Sequence, residues 1–206
     1  MTFLKHAPAR LAVASGLVAV SLGLAGCGTS GPAGNTAPMG AKPTATSSAS
    51  ANGADTMFAQ MMIPHHEQAV EMSEMVLAKP GVDPRVGDLA QQIKAAQAPE
   101  VARLKGWLGE WGQPASMSGG HEGHGSGGMM SGMLKDEDLA QLRSADGAAA
   151  SKLFLTQMIA HHEGAVEMAM TEKASGKHPG PVQMAASIID SQTKEVEAMK
   201  GLLAQL

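Results

Sequence analysis

Two pairs of adjacent histidines are the side chains of this chain best suited to chemistry. The pairs are His65 with His66 and His161 with His162. Neutral imidazole binds transition metals such as copper, zinc and iron through a ring nitrogen. Each pair is flanked by methionines at helical spacing, and these thioethers are Met62, Met72, Met158 and Met168. Because residues four or seven apart share one face of a helix, each pair predicts a cluster of imidazole and thioether ligands.

The pattern around the histidines belongs to a longer internal repeat. Phe58–Met72 matches Phe154–Met168 almost residue by residue, and the stretches 89–108 and 184–203 match each other in their apolar and polar positions. A repeat of this length indicates two copies of one supersecondary unit. Apolar residues recur at helical spacing on both sides of a proline- and glycine-rich turn, which predicts a helical hairpin. Two hairpins predict an all-α, antiparallel four-helix bundle.

The second helix of each predicted hairpin carries polar residues on its apolar face. These residues are Gln97, Glu100, Gln192 and Glu195. At 1.5 Å rise per residue, the histidines and these groups lie at similar distances from the turn, roughly 20–25 Å, so they should meet. A carboxylate inside a bundle is costly unless it is paired or bound to a cation. We therefore predict that Glu100 and Glu195 take part in a metal site and that Gln97 and Gln192 help to orient its ligands. The alternative is a hydrogen-bonded network without any ligand.

A glycine-rich stretch between the two repeats offers a second candidate metal site. Its sizeable side chains include Met117, His121, His124, Met129, Met130 and Met133. Soft thioethers combined with imidazole suit Cu(I) better than they suit hard cations. Glycine-rich sequence packs poorly, so we expect a mobile segment that captures copper transiently. The alternative is a low-complexity linker with incidental side chains.

The N-terminal residues 1–26 have the features of an export signal. A positive start is followed by an apolar stretch too short for a comfortable membrane span, and then by Leu-Ala-Gly-Cys at positions 24–27. That tetrapeptide resembles the bacterial lipobox, so Cys27, the single cysteine, is the predicted lipidation site. The alternative is a plain secretory signal in which the cysteine is incidental. Residues 27–54 are rich in small residues and proline, and predict a disordered tether to the membrane.

Composition excludes several classes of function. Aromatic residues make up 2% of the chain, tyrosine is absent and the formal net charge is −4. A stacking platform for single-stranded nucleic acid or an electrostatic grip on phosphate is therefore not expected. Because Cys27 is consumed by lipidation, a thiolate metal site, a disulfide or a cysteine nucleophile is not expected in the mature chain.

The folded part is expected over residues 55–206. Repeat one covers 55–112, the glycine-rich loop 113–133 and repeat two 134–206. A short helix over Leu134–Leu142 should lead into the second repeat.

The doubled motifs resemble those of the bacterial domain-of-unknown-function family 305. The matching residues are Met62–Met72 with Gln97–Glu100, and Met158–Met168 with Gln192–Glu195. The resemblance covers about residues 55–206 and implies a ferritin-like four-helix bundle that is usually exported. It also implies a link to copper, since some members are associated with copper binding or copper resistance. Carboxylate di-iron sites use Glu and Glu-x-x-His, whereas this chain has His-His and Gln-x-x-Glu, so it departs from that pattern.

These observations predict an exported, membrane-tethered protein that binds Cu(I), with iron or zinc as alternative ions, and that buffers or delivers it without catalysis. One alternative is an enzyme, a ferritin-like metal oxidase, which needs open coordination positions and metal-dependent turnover. Another is a metal-free helical interaction module in which the buried polar layer only fixes helix register. The sequence leaves homo-oligomerisation open.

Overall fold

The computed structural model describes residues 50–116 and 130–206. Within these ranges the chain forms five helices and no strands. The helices are α1 (Gly53–Leu77), α2 (Pro84–Glu110), α3 (Asp136–Ser144), α4 (Gly147–Ser175) and α5 (Pro179–Leu203). The predicted all-α class is confirmed, and the short helix expected at Leu134–Leu142 begins two residues later. No helix of the described residues is long and apolar enough to cross a membrane.

Local capping decides where the first hairpin begins and turns. The Asn52 side chain accepts hydrogen bonds from the backbone of the first turn of α1, and Asp55 accepts one from the backbone N–H of Asn52. This reciprocal capping box starts α1 at Gly53. Residues 52–54 are therefore ordered, although the sequence placed them in the tether. At the turn, Asp83 caps α2 and Pro84 occupies its first position, as their residue types favour.

The two hairpins meet chiefly through their first helices. α1 packs on α2, α4 packs on α5, and the contact between hairpins runs mainly between α1 and α4. The short helix α3 lies against α1 and α4. Its Leu139 and Leu142 are buried among residues of the second half of α1 and the first half of α4. The other half of the α1–α4 face is not covered by α3.

The apolar core is divided into two clusters. One contains the second half of α1 and the first half of α4, including Met72, Phe154 and Met158. The other contains the first half of α1 and the second half of α4, including Met62 and Met168. The histidines fall between these two halves in sequence on both helices, so a polar layer separates the clusters. Burial of apolar side chains, at about 25 cal/mol per Å², stabilises the clusters on both sides of the layer and so holds the histidines between them.

Equivalent positions of the repeat clasp the hairpins together. Asp55 accepts hydrogen bonds from the backbone N–H groups of Lys177 and His178, in the turn of the second hairpin, at 3.1 and 3.0 Å. Ser151, its counterpart in the second repeat, accepts one from Asp83 N in the turn of the first hairpin at 3.0 Å. Each hairpin therefore stabilises the turn of the other.

A second acid, Glu172, is buried beside Asp55. Its side chain is 1% exposed, and neither carboxylate oxygen accepts a hydrogen bond from a described donor. Burial together with the hydrogen bond and charge of Asp55 raises the pKa of Glu172 to about 8. Burial opposes ionisation of Asp55, but hydrogen bonds from Asn52, Glu172, His178 and Lys177 together lower its pKa. Glu172 is therefore protonated at neutral pH and donates to the Asp55 carboxylate.

This pair makes stability depend on pH. In the folded protein Glu172 keeps its proton to about pH 8, whereas an unfolded glutamate loses it near its ordinary pKa of 4.5. Stability should therefore fall as pH rises between these values, by at most about 1.4 kcal/mol per pH unit. Glu172→Gln should remove that fall and exceed the parent in unfolding free energy at pH 8. Denaturant unfolding at pH 5, 6.5 and 8 measures the unfolding free energy of both proteins. The same dependence of this free energy on pH in both proteins would contradict the prediction.

Candidate metal centre

All four predicted histidines lie in one fully buried layer. His65, His66, His161 and His162 each have 0% exposure. The first histidine of each pair faces the other hairpin, and the rings of His65 and His161 lie 3.7 Å apart between centroids. Within each pair the ring centroids are 6.5 Å and 6.3 Å apart. The layer thus joins the histidines of the two repeats at the contact between α1 and α4.

The second histidine of each pair is held by the glutamate of its own hairpin. His66 Nε2 lies 2.8 Å from Glu100 Oε2, and His162 Nε2 lies 2.7 Å from Glu195 Oε2. The predicted meeting of histidine and carboxylate within each hairpin is therefore found. Both glutamates are partly exposed, at 26% and 23% of their side-chain surface, so they reach the layer from its solvent side.

These contacts determine which ring nitrogens remain free. A carboxylate accepts hydrogen bonds, so Nε2 of His66 and of His162 carries the proton. His65 Nε2 lies 3.2 Å from the carbonyl oxygen of Ser131, which also only accepts, so this nitrogen donates as well. In the neutral form of each of these imidazoles the lone pair is then on Nδ1. A hydrogen bond on the far nitrogen is the usual way in which proteins orient a metal-binding histidine.

The nitrogens that remain are buried without any partner. Within 50–116 and 130–206, the unpartnered ring atoms are His65 Nδ1, His66 Nδ1, His162 Nδ1 and both nitrogens of His161. A buried polar atom without a hydrogen bond costs about 1–3 kcal/mol. Five such atoms in one layer are unusual for a purely structural network, in which buried polar groups are satisfied. A metal ion is a partner that these lone pairs fit.

Burial also keeps the central imidazoles neutral. Burial, with smaller contributions from the charges of His66 and His162, lowers the pKa of His65 to about 3. Burial and the charges of neighbouring histidines hold the pKa of His161 well below its ordinary value. Neutral imidazole is the form that binds metals, so a proton does not compete for these nitrogens at physiological pH.

The remaining predicted core residues are distributed unevenly. Met62 and Met168 lie in one apolar cluster, and Met72 and Met158 lie in the other, so thioethers flank the histidine layer on both sides. Gln97 and Gln192 are buried, but no hydrogen bond joins either to an imidazole, and both side-chain atoms of Gln97 are unpartnered. Across the described ranges, no three His, Cys, Asp or Glu side chains are arranged to hold a metal ion.

Most of the predicted loop site lies outside the described residues. Met117, His121, His124 and Met129 fall there, as does Cys27. Met130 and Met133 are described and are half-buried.

The segment Met130–Leu134, which we name the strap, is packed against the bundle rather than mobile. Its Ser131 carbonyl binds His65, and the side chain of Gln68 both donates to and accepts from the backbone of Leu134, at 3.0 and 2.8 Å. Gly132 has φ +82° and lies against the backbone of α4. A Cβ atom at Gly132 would lie 2.6 Å from the carbonyl oxygen of Ala160, so glycine is required. The expectation of a mobile loop is therefore wrong for residues 130–133, because backbone contacts hold them.

Sequence reasoning did not assign a role to Gln68 or Gly164. These two residues occupy the same position of the repeat: Gln68 binds the strap, and Gly164 lets it approach, because a Cβ there would overlap the Ser131 carbonyl group. The available signal was a glycine in the middle of a long helix, which costs about 0.5–1 kcal/mol relative to alanine and so implies a close contact.

The fold and this layer define a class of protein: a bundle of two repeated helical hairpins with a buried double-histidine layer at their contact. The chain belongs to the DUF305 family, a domain of unknown function, whose model matches residues 55–203. None of the curated proteins compared with the chain is significantly similar to it.

Solved structures show the same fold in relatives. A DUF305 protein of Streptomyces coelicolor is 33% identical, with a TM-score of 0.66, over 74% of this chain and 93% of that one. A DUF305 fragment from Deinococcus radiodurans is 29% identical, with a TM-score of 0.67, over 76% and 99%. CopM in its Cu(II)-bound form is 34% identical, with a TM-score of 0.62, over 73% and 96%. CopM has also been solved in Cu(I)-bound, Ag-bound and apo forms.

Proposed function

We propose that this chain is an exported, lipid-anchored protein that binds Cu(I) in its histidine layer and buffers or delivers the ion. The observation that carries the proposal is the set of buried imidazole nitrogens without partners around the contact between His65 and His161. In His65, His66 and His162 the lone pair is oriented by a hydrogen bond on the opposite ring nitrogen, which is the arrangement expected of metal ligands.

The choice of copper rests on ligand chemistry and on the relatives. Imidazole binds several transition metals, but buried thioethers on both sides of the layer favour a soft ion such as Cu(I) over zinc or iron. Met62 and Met158 stand one helical turn from His66 and His162, so a small side-chain movement brings sulfur toward the layer. Copper- and silver-bound forms of CopM, at 30–34% identity, support the same choice.

We propose that this function is performed outside the cytoplasm. The predicted export signal, the lipidation of Cys27 and the predicted tether support that location. The Streptomyces coelicolor relative, which is assigned as a secreted protein, supports the exported location. The methionines and histidines of 117–133 would then act as an exposed capture site that passes copper to the layer.

We further propose that the protein works by binding and not by turnover. The two glutamates are bonded to histidine nitrogens, so few carboxylate oxygens remain to build the carboxylate-rich site of a ferritin-like oxidase. Oxygen uptake with Cu(I) or Fe(II) should therefore not exceed the rate of the free ion. Metal-dependent oxygen consumption that rises in proportion to protein would contradict this part of the proposal.

The direct test is a competition titration of the full chain with a chromogenic Cu(I) chelator under reductant, in parallel with Zn(II), Fe(II) and Ni(II). We expect stoichiometric Cu(I) binding, and weaker binding of the other ions. A variant with serine at Met117, His121, His124 and Met129 keeps the loop length and separates the two sites. Cu(I) retained by this variant assigns it to the bundle. Failure of both proteins to compete with the chelator for any ion contradicts the proposal.

A further inference from the structure

The half of the α1–α4 face that α3 leaves uncovered contains a cavity lined by methionines. Its volume is about 290 Å³, and its thioethers come from Met57, Met61 and Met168. Met57 is 50% exposed and Met168 is buried, so the cavity leads from solvent toward the core.

The charges around this cavity are of one sign. Glu167 and Glu172 line it, and none of its lining residues is a lysine or an arginine. Glu172 is buried and bonded to Asp55 as a neutral acid, so the negative charge at the cavity comes from Glu167. A cleft that carries an acidic side chain and no basic one favours a cation over an anion.

The internal repeat shows that these residues are particular to one half of the molecule. The positions equivalent to Met57 and Met61 in the second repeat are Leu153 and Gln157. Gln157 there donates to the backbone of Asp138 in α3 at 3.0 Å. Where the face is covered, the repeat carries an aliphatic and a structural polar residue. Where the face is open, the repeat carries two thioethers. Packing alone therefore does not require methionine at position 57 or 61.

We propose that this cavity is a second site for a soft monovalent cation, Cu(I) or Ag(I), held by the thioethers of Met57, Met61 and Met168. Thioether sulfur is a soft, neutral ligand that selects Cu(I) over hard divalent ions. The unbranched methionine side chain adapts to an ion without moving the helices. The carboxylate of Glu167 offsets the charge of the ion.

This site is separate from the histidine layer but adjoins it. Ser131 lines the cavity, and its carbonyl oxygen accepts the hydrogen bond of His65. The role of the cavity rests on the proposed function: the ion would bind there first, at the solvent side, and then move to the imidazoles. Binding of the ion at the cavity does not depend on the layer.

The test is an Ag(I) titration of the full chain with ¹³C-methyl-labelled methionine in chloride-free buffer, followed by ¹H–¹³C correlation spectra. The methyl signals of Met57, Met61 and Met168, assigned from single leucine variants, should shift together and saturate with one ion. Met57→Leu with Met61→Leu should weaken this site at least about tenfold. Leucine conserves volume, so the thermal transition should be retained. Met170→Leu is the matched control, because Met170 is 56% exposed on α4 and lies outside the cavity.

The same samples, labelled with ¹⁵N-histidine, separate this inference from the proposed function. Imidazole signals that respond while the three cavity methyls stay unchanged overturn the cavity site and leave the histidine layer intact. Cavity methyls that shift while the imidazoles are silent support the cavity and count against the layer. Unchanged Ag(I) affinity at these methyls in the double leucine variant also overturns the site.

Discussion

Replacing His65 and His161 together with leucine should abolish tight Cu(I) binding by the histidine layer without unfolding the bundle. These two rings make the contact between the hairpins, at 3.7 Å between centroids, and both are fully buried. Removing an outer partner of a ligating histidine costs about 10- to 100-fold in affinity, so loss of two ligands should exceed about 100-fold. Chelator competition in a background with serine at the four loop positions given above measures the change.

The same variant distinguishes a metal site from a structural network. Leucine replaces buried imidazoles that leave nitrogens unpartnered, so the unfolding free energy of the metal-free protein should stay constant or rise by up to about 1–3 kcal/mol. If the layer were a network that only stabilises the fold, the variant would lose stability and keep its affinity for copper. His178→Asn is the control, since His178 lies outside the layer and asparagine preserves the cap of α5.

Acid sensitivity gives this variant a second readout. Burial keeps the pKa of His65 near 3 in the folded protein, whereas the unfolded chain takes up a proton near 6.5. Protonation of this histidine in the unfolded chain therefore lowers the stability of the folded protein progressively as pH falls below 6.5. The pKa of His161 is lowered as well, so this residue makes stability depend on pH in the same direction. The metal-free leucine variant should unfold at a lower pH than the parent, as measured by helical circular dichroism.

Gly164→Ala should displace the strap from its contact with α4. A Cβ at this position would overlap the Ser131 carbonyl group and lie 2.7 Å from Gly132 N, and both are backbone atoms that cannot rotate away. We expect a loss of about 1–3 kcal/mol in unfolding free energy, typical of overpacking. The amide of Leu134, which donates to Gln68, should lose its protection from hydrogen exchange. Copper transfer to a chelator should become faster because His65 loses its cover.

A glycine elsewhere in the bundle gives the opposite expectation. Gly106 lies inside α2, and a Cβ atom added there would have no neighbour within 4 Å. Gly106→Ala should therefore stabilise the protein by about 0.5–1 kcal/mol, the gain of alanine over glycine in a helix. Thermal unfolding of both variants beside the parent is sufficient. A Gly164→Ala protein that is stabilised like Gly106→Ala would show that the strap does not pack there.

Much of the fold was predictable because each hairpin is encoded locally. Apolar residues at helical spacing, the turn with Asp83 and Pro84, and the count of residues from His66 to that turn all concern contiguous sequence. The same count placed Glu100 opposite His66, and the structure has them 2.8 Å apart. The second hairpin repeats the result with His162 and Glu195 because it repeats the sequence.

The way in which the two hairpins meet was not predictable from either hairpin. Periodicity placed all four histidines inside, but it did not show that the first of each pair crosses to the other hairpin while the second binds its own glutamate. Asp55 reaching the turn at Lys177 is a contact of the same non-local kind. Such contacts depend on the rotation and depth of one hairpin on the other, which many weak apolar contacts decide together.

The sequence by itself determined two helical hairpins, the burial of their histidines and the ligand types available to a metal. Only the tertiary structure decided which ring nitrogens are free, where the strap covers His65 and which half of the α1–α4 face stays open. The physical reason is that helical periodicity depends on residues that are close together in the sequence. The exposure of a lone pair or a cavity instead depends on what distant segments, here Ser131 and α3, bring against it.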